Sequence, residues 1–198
     1  MQQRSEETHH RILETANLLF SKNGYDATGV AEICQQAGIS KGAFYHHFPS
    51  KQAVFLANME YWLARVDEGL SITRQETKDV PRAIKQMAEL VGDIFQTADV
   101  RLSIFLEFWV QAYRDPVIWQ SAISPYRHYL SYFSEMIREG VEQGTLRRVD
   151  ADQASRTLVS LSIGMLMQAL FDPKNIDWHA EARDSMSLIL EGLVRRDL

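Results

Sequence analysis

Apolar residues recur three or four positions apart along most of the chain, which is the spacing of helices that bury one face. No sustained alternation of apolar and polar residues indicates a strand. The first helix is predicted over residues 6–22, and Asn23-Gly24 favours its end. Its buried stripe is expected to contain Ile12, Ala16, Leu19 and Phe20.

Eight further segments show the same spacing, separated by Gly, Pro and polar residues. They predict helices over residues 28–38, 40–47, 51–73, 81–97, 100–114, 116–143, 150–171 and 177–196, with a linker at 76–80. Pro125 lacks a backbone donor and is expected to kink the seventh helix. The whole pattern predicts an all-α fold of about nine helices.

The helices predicted over residues 28–38 and 40–47 are short and flank a tight turn. Gly38 suits a positive φ in such a turn, and Ser40 can cap the following helix through its hydroxyl. Phe44 and Phe48 are four residues apart and are expected to point into a small core. The opposite face of the second helix is then left to solvent.

That exposed face carries chemistry suited to nucleic acid. The small residues Gly42 and Ala43 let a helix enter a major groove about 12 Å wide. Polar side chains that can contact phosphates or base edges are Lys41, Tyr45, His46 and His47. Ser50 and Lys51 open the next helix, whose first N–H groups suit a phosphate. Spacing alone leaves simple helix packing open as an alternative to DNA recognition.

The identities of the residues in this region narrow the interpretation. They include Ile12-Leu13-Glu14-Thr15-Ala16, Leu19-Phe20, Gly24-Tyr25, Thr28, Ile33 and the unbroken block AGISKGAFYHHFPSK over residues 37–51. Together these residues resemble the N-terminal domain of TetR/AcrR-family regulators over about residues 11–56. The part over residues 40–51 matches the family's signature almost position for position.

The resemblance implies a three-helix helix-turn-helix DNA-binding domain over residues 1–50 and a larger helical ligand-binding and dimerisation domain over residues 51–198. It implies a double-stranded DNA operator as partner. Many family members carry hydroxyl residues where this chain has Gly29 and Val30, so Thr28 is expected to supply that phosphate contact. The implied DNA-binding residues are Thr28, Ser40, Lys41, Gly42, Tyr45 and His46 at the DNA surface, with His47 and Lys51 on the DNA backbone.

Aromatic residues and methionines cluster between residues 95 and 136, and a hydrophobic core accounts for most of them. A ligand cavity needs apolar walls and a few polar groups, and Glu107 and Gln111, one turn apart in an apolar run, suit that role. Glu107 would then favour a cationic or donor-rich ligand, while a surface or interface position is the alternative. Trp109 and Tyr113 could form an aromatic wall. The candidate ligand-binding residues are Phe105, Glu107, Phe108, Trp109, Gln111, Tyr113, Tyr129 and Phe133.

The last two predicted helices carry apolar residues at helical spacing. Ser160, Ser162 and Gly164 lie among them and allow close approach. The resemblance implies that these helices form a homodimer as a four-helix bundle, although packing within one subunit would use the same residues. A two-fold dimer places two recognition helices on successive major grooves, about 34–36 Å apart, so a pseudo-palindromic operator is expected.

Charge and composition restrict the function further. The net charge is −5, but residues 1–58 hold five basic and five acidic residues, so phosphate contacts depend on local placement. This acidity disfavours a non-specific architectural DNA binder, which needs strong positive charge. Cys34 is the only cysteine, so no internal disulfide can form. The polar N-terminus is not a signal peptide, and residues 158–171 are too short and too polar to span a bilayer, so a cytoplasmic location is expected.

An enzyme is the main alternative from another class. The chain has no His-Glu-x-x-His motif, no Gly-x-Ser-x-Gly motif and no phosphate-binding glycine loop. We therefore predict no catalytic residue, metal or cofactor. The predicted function is a ligand-responsive repressor that a small, largely apolar or aromatic effector releases from its operator. An activator with the same fold would share these sequence features.

Overall fold

The computed structural model describes residues 2–96, 106–107 and 109–194. Within them the chain forms nine helices and no strand, with one isolated bridge between Leu146 and Val194. The first five helices are α1 Gln2–Asn23, α2 Val30–Ala37, α3 Lys41–His47, α4 Lys51–Glu76 and α5 Val80–Gln96. The others are α6 (residues 106–107 and 109–114), α7 Pro116–Glu142, α8 Ala151–Phe171 and α9 Trp178–Leu193. The all-α prediction is confirmed.

The described helices lie within a few residues of the predicted ones. α1 begins at Gln2 rather than at residue 6, and α4 continues to Glu76, which shortens the predicted linker. Pro125 lies inside α7, and the kink expected there stays a prediction. Asp150 and Asp177 cap the N-terminal ends of α8 and α9, because their carboxylates accept hydrogen bonds from first-turn N–H groups.

The chain folds as two compact units whose boundary lies within α4. Unit 1 contains Met1–Ala64 and Val100–Ala122, and unit 2 contains Arg65–Asp99 and Ile123–Leu198. α6 therefore belongs to the same unit as the first three helices. The boundary predicted at residue 50 separates a DNA-binding domain from a ligand-binding domain and does not concern packing, so it stays a prediction.

Aromatic side chains form the centre of unit 1. Phe20 and Phe55 meet edge to face with their ring centroids 5.5 Å apart, and Tyr25 lies 4.7 Å from Phe55. Three small or aliphatic residues from α6 and the first half of α7 pack into the same core, and these are Ala112, Ile118 and Ala122. Apolar burial therefore holds α6 within the unit that contains the helix-turn-helix.

The core of unit 2 is formed by α5, α7, α8 and α9, and α5 packs closely along α9. Ile84, Ile137 and Leu158 are fully buried there. By length and composition alone α8 could cross a membrane. It nevertheless buries Leu158 and Met165 inside the protein, as the core helix of a folded domain does.

Candidate nucleic-acid interface

A left-handed glycine sets the turn between α2 and α3. Gly38 ends α2 with a φ of 63°, which glycine adopts without steric cost. The Ile39 N–H donates to the Cys34 carbonyl at 3.0 Å, and Ser40 Oγ accepts from the Ala43 N–H at 3.1 Å. The turn expected from the sequence is present, and it fixes the direction in which α3 leaves α2.

α3 has one buried face and one exposed face. Phe44 and Phe48 lie in the core of unit 1 with ring centroids 6.3 Å apart. Tyr45 is 54% exposed. Ser40 and the α3 residues Lys41, Gly42 and His46 are exposed as well. The two phenylalanines therefore anchor α3, while the opposite face presents a cation, a phenol and an imidazole to solvent.

Gly42 is not required by the packing of α3. A Cβ at this position would meet only Ser40 Oγ, at an ordinary 3.7 Å, and the φ of Gly42 is not positive. The missing side chain instead leaves space on the exposed face, where a groove wall or a phosphate can approach the backbone closely.

Three histidine rings lie together where α1 meets α3. The His9 ring stacks on Phe48 with centroids 4.6 Å apart and lies 6.0 Å from the His47 ring. The His46 and His47 rings are 5.2 Å apart. Burial, then His46 and His9, lower the pKa of His47. His47 is therefore neutral at neutral pH, and a nearby phosphate would favour its protonated form.

Thr28 does not face solvent, and the prediction that it contacts DNA is wrong. Its side chain is 1% exposed, and its hydroxyl lies 2.9 Å from the Gly24 carbonyl oxygen and 3.2 Å from that of Leu19. Gly29 precedes α2 and supplies no side-chain cap. Because a buried hydroxyl needs a hydrogen-bond partner, Thr28 serves to tie its loop to the end of α1.

Lys51 supports the same loop. Its Nζ donates to the Tyr25 carbonyl at 2.7 Å and to the Thr28 carbonyl at 2.9 Å, and it lies 4.2 Å from the Tyr25 ring centroid. Burial lowers the pKa of Lys51, while Asp26 and Glu107 act in the opposite direction. An ammonium group has three donors, and two are used in the loop. This placement favours a structural role over the predicted backbone contact.

The two polar residues expected to line a ligand cavity are held within unit 1. Gln111 is 7% exposed, and its Nε2 donates to Glu107 Oε1 at 2.9 Å and to Asp26 Oδ1 at 3.4 Å. Arg114 lies 3.7 Å from the other Asp26 oxygen. Gln111 therefore joins α6 to the loop between α1 and α2, and the cavity role predicted for Glu107 and Gln111 stays a prediction.

The other candidate ligand residues near α6 do not form a wall. Tyr113 is 88% exposed, whereas Trp109 packs against the core of unit 1 with its ring centroid 6.5 Å from Trp119. The aromatic wall predicted for Trp109 and Tyr113 is therefore wrong. Phe105 and Phe108 lie outside the described residues.

Tyr129 and Phe133 lie on α7 in unit 2, where both pack against the core. Burial, followed by the negative charge of Asp67 on α4, raises the pKa of Tyr129, so the phenol is neutral. Asp67 was not singled out from the sequence, because two adjacent acidic residues, Asp67 and Glu68, on a long helix are typical of a solvated face. Tyr129 and Phe133 remain candidates for effector contacts.

α8 and α9 leave apolar surface uncovered in the single chain. Phe171, at the end of α8, and Leu188, on α9, are among the most exposed large hydrophobic residues. Gly164 on α8 has open space around it, since an added Cβ would meet nothing within 4 Å. Surface of this kind can pack closely against a second chain.

No group of three or more His, Cys, Asp or Glu side chains in the described part of the chain is arranged to hold a metal ion. A groove of about 450 Å³ lies between α5 and α9. Its lining residues are Pro81, Arg82, Lys85, Ser187, Leu190, Glu191 and Val194, and none of them is a candidate ligand residue.

Two families match the chain. The family described as bacterial regulatory proteins, tetR family, matches residues 12–57. The family described as BetI-type transcriptional repressor, C-terminal, matches residues 81–195, which is more than half of the chain. The first match contains the helix-turn-helix, and the second contains α5 and the helices after it.

The similar proteins include several regulators. The HTH-type transcriptional regulator UidR of Escherichia coli K12 is 26% identical over 171 residues, which cover 84% of this chain and 83% of UidR. A transcriptional regulator from Saccharomonospora viridis in complex with choline has a TM-score of 0.84 and 25% identity, covering 96% of this chain and 100% of that one. The fatty acid degradation regulator FadR of Bacillus halodurans, at 19% identity and a TM-score of 0.82, covers 96% of this chain and 97% of its own and shows the fold alone.

Proposed function

The chain belongs to the TetR family of bacterial helix-turn-helix transcriptional regulators, and we propose that it is a ligand-responsive repressor. In this proposal a homodimer binds a pseudo-palindromic DNA operator, and a small-molecule effector releases it. The observation that carries the DNA-binding role is the orientation of α3. Phe44 and Phe48 are buried, while Lys41, Tyr45 and His46 point to solvent.

Positioning and reading of DNA use different residues of the exposed face. Lys41, at the start of α3, neutralises a phosphate, and the Ser40 hydroxyl lies next to it. Tyr45 and His46 offer donors to base edges or phosphates, and Gly42 lets the helix sit deep in the major groove. His47, half-buried beside His9, contacts the DNA backbone. Lys51 and Thr28 hold the supporting loop rather than the DNA.

Dimerisation through α8 and α9 completes the operator contact. The exposed Leu188 and Phe171 and the open space at Gly164 support a self-complementary apolar interface. A two-fold dimer then brings two copies of α3 to successive major grooves of the same operator.

Two connections support transmission of an effector signal to α3. α4 runs without interruption from Lys51 to Glu76 and so contributes to both compact units. Within unit 1, Asp115 accepts a hydrogen bond from Gln52 of α4 at 2.8 Å, and Gln111 reaches the loop at Asp26. An effector that displaces α4 would change the spacing of the two recognition helices, with a typical coupling of about 1–3 kcal/mol.

Repression and effector binding have separate support. The C-terminal family match carries the description of a transcriptional repressor, which favours repression over activation. The choline complex of the Saccharomonospora viridis regulator supports a small-molecule effector. Tyr129 and Phe133 support an effector with a largely apolar or aromatic surface. Operator binding requires access to the chromosome, so a cytoplasmic location is part of the proposal, and no catalytic role is assigned.

Enrichment of fragmented genomic DNA on the full-length protein, at near-physiological salt and followed by sequencing, tests this function. We expect one or a few pseudo-palindromic sequences. A Lys41→Ala variant with unchanged helical content should show weaker enrichment of the same sequences. Uniform recovery of DNA by protein that mass spectrometry shows to be free of bound small molecules would contradict a sequence-specific regulator.

A further inference from the structure

Three imidazole rings form one cluster where α1 packs against α3. His9 comes from α1, and His46 and His47 are the last two residues of α3. The centroid of the His47 ring is 6.0 Å from that of His9 and 5.2 Å from that of His46. We call these three residues the histidine cluster.

The histidine cluster is anchored in unit 1 and is still open to solvent. The His9 ring stacks on the buried Phe48 ring, with centroids 4.6 Å apart and 27° between the ring planes. His46 is exposed, and His9 and His47 are half-buried. Because His46 also belongs to the exposed face of α3, the cluster continues the surface that carries the DNA-binding role.

The histidine cluster disfavours its own positive charge. Burial lowers the pKa of His47, and the charges of His46 and His9 lower it further. No carboxylate forms an ion pair with any of the three rings within the described residues. The cluster therefore lacks an anion that would stabilise its protonated form.

The charged groups on the surrounding helices are engaged elsewhere. On α1, His10 Nε2 lies 3.5 Å from Glu14 Oε1, and Glu6 is exposed. On α4, Lys51 donates to the loop between α1 and α2. On α3, Lys41 lies at the opposite end of the helix from the cluster. An anion from outside the chain is therefore the partner that the histidine cluster can use.

We propose that the histidine cluster forms a single binding site for a phosphate of the operator and that operator binding takes up protons there. The phosphate supplies the missing negative charge and accepts hydrogen bonds from the protonated rings. Operator affinity then rises as the pH falls. This inference rests on the proposed function and extends it, since it adds His9 of α1 to the DNA contact and links the binding of DNA to pH.

Fluorescence anisotropy of the full-length protein on the enriched operator, at pH 6 and pH 8 and over a range of salt concentrations, tests this linkage. The wild type should bind about fivefold more tightly at pH 6, because protons taken up with the operator favour the complex. The slope of log affinity against log salt should be steeper at pH 6, since each protonated ring displaces a counterion from a phosphate.

Variants of His9 separate a phosphate contact from a packing role. His9→Gln removes the titrating ring and should reduce the pH response to about twofold. His9→Arg keeps a planar cation that can stack on Phe48, so it should bind at pH 8 about as tightly as the wild type does at pH 6. His10→Gln changes the next residue of α1 and should keep the full response. The wild-type response and His9→Arg decide the question even if His9→Gln is unstable.

The inference and the proposed function can fail separately. Specific operator binding with equal affinity at pH 6 and pH 8 would overturn the inference. A pH response that His9→Gln leaves unchanged, or that His10→Gln removes, would overturn it as well. In each of these cases the operator is still bound. Absence of specific operator binding at both pH values would instead overturn the proposed function.

Discussion

The two compact units differ in how their buried polar side chains are satisfied. In unit 1 the Thr28 hydroxyl and the Gln111 amide are buried, and both have hydrogen-bond partners. Asp67 Oδ1, Gln86 Oε1 and the Tyr129 hydroxyl, the buried side-chain atoms that lack a partner within the described residues, all lie in unit 2. Within the described residues, the buried side-chain polar atoms of unit 1 therefore have partners, whereas three such atoms in unit 2 do not.

This difference suits a regulator. A recognition helix must keep one orientation if two copies are to match two grooves, and fixed packing around α3 provides that orientation. A unit that responds to a ligand must instead bind that ligand more tightly in one conformation than in the other, because only such a difference in affinity shifts the equilibrium between them. The predictions below test whether the two units differ in this way, beginning with the largest expected effect.

Phe44→Ala should destabilise unit 1 most strongly. Removing this fully buried ring leaves a cavity under α3, and substitutions of this type typically cost about 3–5 kcal/mol. Urea unfolding followed by circular dichroism measures the loss. Tyr45→Ala on the exposed face is the control and should cost less than about 1 kcal/mol. Equal losses would contradict the two-faced arrangement of α3.

Lys51→Met should cause the next largest loss of stability. The substitution keeps much of the side-chain length but removes two charged hydrogen bonds to the loop, for a loss of about 2 kcal/mol in the free energy of unfolding. Lys22→Met at an exposed position serves as the control. A Lys51→Met protein with full stability but weak operator binding would show that Lys51 acts on phosphate rather than on the loop.

Lys41→Ala should affect binding rather than folding. Loss of one phosphate contact in each half-site should weaken operator affinity by about tenfold and lower the slope of log affinity against log salt by about 0.9 per lost contact. Fluorescence anisotropy at several salt concentrations gives both values. Lys78→Ala, in unit 2, should leave both unchanged. A Lys41→Ala slope equal to that of the wild type would remove Lys41 from the interface.

Thr28→Val and Tyr129→Phe compare the two units directly, because each removes one shielded hydroxyl. Thr28→Val breaks hydrogen bonds and should cost about 1 kcal/mol in the free energy of unfolding. Tyr129→Phe removes an unpaired group, so the ligand-free protein should be equally stable or slightly more stable. The opposite order in urea unfolding would contradict the contrast between the units.

Protonation of His47 should give the smallest effect. Its pKa lies below the usual 6.5 in the folded chain, so the unfolded state binds the proton more readily. Stability should therefore be retained above pH 6.5 and fall slightly as the pH drops below it. Bound phosphate favours the proton, so operator affinity should rise over the same range. His47→Gln should flatten the difference between pH 8 and pH 6 in both assays, whereas His179→Gln should not.

The helix-turn-helix could be predicted because its determinants are local. Gly38, Ser40, Phe44 and Phe48 lie within eleven residues, and each contributes through the turn, the cap or the helical spacing of its own segment. The helix positions followed from periodicity for the same reason. Thr28 was the exception, since the family resemblance placed its hydroxyl at a DNA phosphate, whereas the folded loop turns it inward.

The partners of the polar residues on α4, α6 and α7 could not be predicted, because long-range contacts determine them. Gln111 meets Asp26 across 85 positions in the sequence, and no local pattern around either residue indicates that pairing. An apolar run with two polar residues is equally typical of a pocket wall and of a helix held by polar contacts. Asp67 shows no sequence signal either, since only the approach of α7 distinguishes it from a solvated carboxylate.

The most direct test of the central claim, that two copies of α3 bind one operator, is hydroxyl-radical footprinting of the enriched DNA with the full-length protein. We predict protection that is symmetric about the operator centre, with two half-sites whose centres are about 10–10.5 base pairs, or a multiple of that distance, apart. A single protected half-site, or unbroken protection along the whole fragment, would contradict recognition by a two-fold dimer.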